Sequence, residues 1–156
     1  MRLDHWQPRL IQLLAVPGLL ISFYLLLYHN GHLVVICKAG GWEDCGQVSG
    51  PDAPYASIGA VPVALLGLIG YALIFLTVWL KDWLRIVEDY LPELVVSLTA
   101  LAFLLSSGLT ILELFVIQAF CRYCLISAAI VVIMFVLALA YLRQMNMPLK
   151  GEGMRE

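Results

Sequence analysis

"LVVSLTALAFLLSSGLTILELFVI", residues 94–117, runs for 24 residues with a single charge, Glu113. A helix rises about 1.5 Å per residue, so roughly 20 apolar residues cross the hydrocarbon of a bilayer. Three more stretches have this character: Leu10 to Tyr28 (19 residues), Ile58 to Leu80 (23) and Leu125 to Leu142 (18). None of the four holds Lys or Arg. Hydrocarbon offers no partner to an unpaired backbone group, so each stretch is expected to be helical. The expected fold is an all-α integral membrane protein, a bundle of four transmembrane helices over about residues 10–28, 58–80, 94–117 and 122–142.

Composition agrees. The chain is 62% hydrophobic and 13% charged, where soluble domains hold about 45–50% apolar and about 25% charged residues. A net charge of −2 with no basic run argues against nucleic acid as a partner. The first helix is preceded by Arg2 and Arg9, as a signal peptide would be. It is longer than a usual signal core, and "YHNGH" after it is no small-residue cleavage site, so it reads as a retained helix.

The basic residues set an expected orientation. With the N-terminus inside, seven of nine fall on cytoplasmic segments (Arg2, Arg9, Lys81, Arg85, Arg143, Lys150, Arg155) and two, Lys38 and Arg122, outside. That bias favours two cytoplasmic termini. A long, Gly- and Pro-rich outer loop then spans 29–57, and a polar cytoplasmic tail spans 144–156. "KDWLRIVEDYLPE" at 81–93 fits a short interfacial helix, and the link from Gln118 to Cys121 makes helices three and four a tight hairpin. All four cysteines come to the outer face, which is the oxidising periplasm or cell exterior in a bacterium, with the chain in the inner membrane, or the ER lumen in a eukaryote.

Those cysteines carry the chemistry. Cys121 and Cys124, in "FCRYCLIS" (120–127), are three apart at the start of the fourth helix. Residues at that spacing share a face, about 5–6 Å apart, within reach of a disulfide. The partial positive charge of a helix N-terminus, helped by Arg122, favours a thiolate, the nucleophile of disulfide exchange. Cys37 and Cys45 bracket "KAGGWED", a pliant segment that can meet a protein in solution and then swing to the helix mouth. Two pairs on one face thus read as a relay. Residue 125 is Leu, which excludes haem attachment at the C-x-x-C, and there is no dinucleotide fingerprint or P-loop. The oxidant available at the edge of a hydrocarbon slab is a lipid-soluble quinone. The same cysteines also admit two static structural disulfides. They admit a Cys₄ zinc site too, although the separation of the first pair is not that of a usual knuckle.

Other residues are candidates for a quinone pocket. Glu113 is a carboxylate within a membrane helix, either a proton-handling group beside the quinone or a side chain reaching for water. Gly59, Gly67 and Gly70 in the second helix allow close approach of a backbone or a flat ring. Ser57 reads as its N-cap and Pro62 as part of its first turn. Tyr71 and Tyr123 line a pocket or anchor the interface. The three histidines show no ligand spacing.

Cys37-x₇-Cys45, "YASIGAVPVALLGLIGY" at 55–71 and "CRYCLISA" at 121–128 together resemble the vitamin K epoxide reductase family in its bacterial form, over roughly residues 10–142. The resemblance implies a four-helix bundle around a quinone (ubiquinone or menaquinone), with Cys124 nearest the quinone. It also implies that Cys121 exchanges with Cys45 and that Cys37 meets the thiol partner first. In bacteria that partner is a periplasmic thioredoxin-fold protein of the DsbA type. The DsbB type does the same task with its C-x-x-C in the first outer loop, the reverse of the order here. Many relatives carry a serine two residues before "YA", where this chain has Ala53. Vertebrate enzymes have a tyrosine four residues after the last cysteine, where it has Ala128. Some bacterial relatives have a fused thioredoxin domain; here 14 residues follow Leu142, so a separate partner is expected. The expected activity is quinone-dependent disulfide generation. Reduction of a quinone epoxide by the same cysteines, and a non-enzymatic scaffold held by disulfides, are the alternatives.

Overall fold

A computed structural model describes residues 6–34 and 44–146, with backbone alone at 85–89 and at 146. Cys37 lies outside the described residues, as does the tail from 147 onward. Five α-helices and one hairpin make up the fold of the described residues. They are α1 (Trp6–His29), the short α2 (Cys45–Ser49), β1 (Ser57–Ile58), β2 (Val61–Pro62), α3 (Val63–Leu80), α4 (Arg85–Leu112) and α5 (Arg122–Asn146). A π-helical turn, Glu113–Ile117, continues α4.

The four long helices are each apolar and long enough to cross a membrane. They form a ring in which α1 packs on α3 and α5, and α4 packs on the same two. Outward they present large apolar side chains such as Leu13, Leu20, Leu104 and Phe115. That surface suits lipid and not water. The interior splits into two clusters. Ile11, Ala15, Tyr71, Ile74, Val78, Leu91, Val95, Met134 and Ala138 belong to the larger. Leu25, Cys45, Val48, Ala119 and Cys121 form the smaller, at one end of the bundle.

The seam between α1 and α3 is tight because one side has no side chain. A Cβ on Gly18 would clash with the ring of Tyr71. Tyr71 therefore lies flat on α1, and its hydroxyl reaches across to α5. There it donates to the Ser127 carbonyl at 3.0 Å and lies 2.8 Å from Ser127 Oγ.

The first helix begins at Trp6 and not at 10, and three further boundaries differ from the sequence expectation. The second long helix starts at Val63, not at 58. Residues 57–62 form an antiparallel hairpin pairing Ser57 with Pro62 and Ile58 with Val61. Gly59, at φ 65°, is the first central residue of its two-residue turn, as a type II′ turn requires. Pro62 pushes Val61 out of the helical region, so the helix begins only after the proline. Ser57 is thus a strand residue and no cap, and Gly59 lies outside α3.

Second, the segment expected as a separate interfacial helix at 81–93 is a turn followed by the beginning of α4, which starts at Arg85 and runs through Pro92. Proline withholds one helical N–H. Near the membrane surface water satisfies the carbonyl it frees, so the helix need not break there. Third, α5 continues to Asn146, into the start of the expected tail.

Candidate functional site: a dithiol beside a membrane cavity

Cys121 is the residue on which α5 begins. Its carbonyl accepts from Leu125 N–H at 3.0 Å, the first bond of the helix. Its sulfur accepts from Cys124 N–H at 3.4 Å. That is the N-cap arrangement with sulfur in place of the usual side-chain oxygen. The chain reaches this position through two irregular steps. The π turn at Glu113–Ile117 widens the end of α4, and Gln118 takes a left-handed conformation at φ 54°. Irregular backbone at membrane depth persists only where protein or a cavity surrounds it, and π turns concentrate at functional sites.

Cys121 and Cys124 are free thiols, whereas Cys45 is disulfide-bonded. Cys45 opens α2, which is capped by Asp44 through Gly46 N–H (2.9 Å) and Gln47 N–H (3.3 Å). Both Cys45 and Cys121 are fully buried, in the same cluster. The fold thus joins a segment before α3 to the mouth of α5. One helical turn beyond Cys45, the Ser49 hydroxyl points at Cys121 Sγ (3.9 Å) and lies 3.6 Å from Cys124 Sγ.

The two thiols are not equivalent. The hydrogen bond from the Cys124 thiol holds Cys121 below the ordinary thiol range. Burial opposes this, while the Cys124 N–H and the Ser49 hydroxyl add to it. Of the two, Cys121 is therefore the sulfur that ionises first. A reduced pair packed against a disulfide-bonded cysteine is the arrangement that thiol–disulfide exchange needs.

Cys124 also lines a cavity of about 560 Å³, a volume in the range of small-molecule sites. Its walls are mostly apolar. Between α3 and α4 they include Leu66, Ile69, Leu73, Leu101, Leu104 and Leu105, which are also exposed on the lipid-facing surface. The cavity is therefore continuous with the hydrocarbon. Polar groups gather at the dithiol end: Ser49, Glu113, Ser127 and His29. Two of them carry buried atoms that meet no partner, Glu113 Oε2 and His29 Nδ1. Buried polar atoms are ordinarily paired. Two that line one cavity fit a flat ligand bearing oxygen atoms, as a quinone does.

Of the residues expected from sequence, Gly67, Gly70, Tyr71, Glu113 and Cys124 meet at this cavity. Gly59 does not line it and sits in the hairpin turn. Tyr123 does not line it either; its ring tilts against Tyr24 at 5.3 Å in the smaller cluster. Ser49 and His29 were not among the expected pocket residues. Ser49 had one available signal, its spacing of four from Cys45. His29 had none, because only the packing of α1 brings it to the cavity.

A model of the vitamin K epoxide reductase family matches residues 9–139. No curated protein matches the chain.

Proposed function

The chain belongs to the vitamin K epoxide reductase family, which makes it a membrane oxidoreductase of thiols or quinones, and we propose that it oxidises thiols of exported proteins at the expense of a membrane quinone. A reduced thioredoxin-fold partner of the DsbA type gives two electrons to the Cys37/Cys45 pair. That pair passes them to Cys121/Cys124. The dithiol is then reoxidised to a disulfide as quinone (ubiquinone or menaquinone) becomes quinol. The proposed setting is the bacterial inner membrane, with both termini cytoplasmic and the cysteine end periplasmic, following the seven-to-two bias of basic residues.

One observation carries this reading. A free dithiol has one sulfur buried beside disulfide-bonded Cys45 and the other on a cavity continuous with the lipid-facing surface. A static scaffold has no use for a reduced pair in that position. Cys121 serves as the exchange sulfur and Cys124 as the one facing the quinone. Gly67 and Tyr71 shape the cavity wall.

The test is reconstitution in lipid nanodiscs with quinone and a reduced thioredoxin-fold substrate, following quinone absorbance. Cys124→Ala abolishes quinone reduction. Cys37→Ala loses the protein substrate yet still accepts electrons from dithiothreitol. Full quinone-linked oxidation in both variants would refute the relay, and disulfides that resist low-millimolar dithiothreitol would favour the scaffold.

A further inference from the structure

Glu113 is 5% exposed, in a membrane-spanning helix whose neighbours are apolar. Burying a carboxylate there is costly, and such a group is retained when it has work to do. A structural role would satisfy both oxygens. Glu113 satisfies its carboxylate in part only. It meets the backbone N–H of Cys121 and the thiol of Cys124, while Oε2 is buried, unpartnered and on the cavity. The π turn places it there. Glu113 opens that turn, and the widened backbone brings a residue eight positions before Cys121 alongside both sulfurs.

The chemistry of the dithiol needs a group in this position. The single thiol hydrogen of Cys124 faces both the Cys121 sulfur and the Glu113 carboxylate, so Cys124 still holds a proton when Cys121 has ionised. Forming a disulfide requires that proton to leave. The other titratable groups on the cavity are His29 from α1, Tyr55, and Tyr71 from α3, whose hydroxyl is already held by Ser127. Among the described acid and base groups, Glu113 is the one in contact with Cys124.

We propose that Glu113 is a catalytic residue of the quinone-reducing step: its carboxylate takes the Cys124 thiol proton as the dithiol is oxidised, and its cavity-facing oxygen delivers that proton to the quinone. This rests on the thiol-to-quinone reading above. The balance is complete. The Cys121–Cys124 bond forms, two electrons pass from the sulfurs to the quinone, and two protons convert it to quinol. One proton travels from Cys124 through Glu113. The other replaces, from water, the proton that Cys121 released on ionising.

The experiment mixes pre-reduced protein in nanodiscs with saturating quinone and follows one turnover across pH, in water and in deuterium oxide. Wild type gives a rate nearly flat above neutral pH, with a solvent isotope effect. Glu113→Gln slows turnover by about 10²-fold or more at neutral pH, the usual scale of a lost general base. Its rate climbs roughly tenfold per pH unit, because the proton must now leave to hydroxide. Glu113→Asp keeps a flat profile at a reduced rate, and it decides the matter should the Gln variant fail to fold. Exchange of the Cys45 disulfide with dithiothreitol stays at the wild-type rate in both variants. A Gln variant as fast as wild type overturns the assignment, as does an Asp variant with the steep profile. Wild-type protein that reduces no quinone overturns the reading beneath it instead.

Discussion

The two ends of the bundle are built on different terms. Away from the cysteines, Ile11, Leu91, Val95, Met134 and Ala138 close on one another, none more than 1% exposed. The helices there are regular, and even Pro92 leaves α4 unbroken. At the cysteine end the chain spends few residues on regular helix. A five-residue helix, a two-residue hairpin turn, a π turn and a left-handed glutamine all fall there. Buried polar atoms without partners line a cavity at that end. Among the described residues the opposite end has one such atom, Gln7 Oε1, in the first turn of α1 and away from the cavity lining. One end is organised for stability and the other for presenting sulfur and oxygen to a membrane-borne molecule, a division in which function tolerates locally unfavourable structure.

The largest effect that would test this division comes from Met134→Ala. Met134 is fully buried at the regular end, and truncation of a buried large side chain costs about 2–5 kcal/mol. Thermal unfolding in detergent should register that loss, while quinone-linked turnover of the folded fraction stays unchanged. A turnover rate that fell with stability would mean that the two ends are mechanically coupled.

Gly18→Ala probes the boundary between them. Tyr71 belongs to the large core and also to the cavity wall. A Cβ at residue 18 would displace its ring, at the roughly 1–3 kcal/mol typical of overpacking. The hydrogen bonds from Tyr71 to Ser127 would go with it. This variant should lose both stability and turnover, read by the same two assays. Stability lost with turnover intact would show that Tyr71 serves the core alone.

The regular end was legible because hydropathy is nearly all it expresses: four apolar runs long enough to span a bilayer, and helix as the form they take. The same signal failed at Ile58–Val61. Those residues are as apolar as the helix after them, and only Gly59 and Pro62 mark the hairpin. It failed again at 81–93, where charge mixed with Trp83 and Tyr90 suggested a separate element. At the site, the C-x-x-C spacing exposed the dithiol and an isolated membrane carboxylate drew notice to Glu113. What remained hidden depends on tertiary contact. Ser49 reaches the thiols because α2 packs on the mouth of α5, and Tyr123 turns toward Tyr24 and not the cavity.

Ser49 supplies the smallest and most specific test. Its hydroxyl is one of three groups that hold Cys121 below the ordinary thiol range, after the Cys124 thiol and the Cys124 N–H. Removing it in Ser49→Ala raises the Cys121 value. At a fixed neutral pH less thiolate is then present, and exchange with the Cys45 side slows. A hydrogen bond is worth about 0.5–1.5 kcal/mol net, and these sulfur contacts are long, so the slowing should be roughly two- to tenfold. At high pH, where Cys121 is fully ionised in either protein, the two rates converge. Acid quenching followed by mass-tagging of free thiols gives the exchange rate across pH. The sign is what matters: the profile of Ser49→Ala must move to higher pH, and Ser49→Thr, which keeps a hydroxyl, must move it back. A shift the other way would mean that the hydroxyl stabilises the protonated thiol, and that Cys121 is not the sulfur prepared for attack.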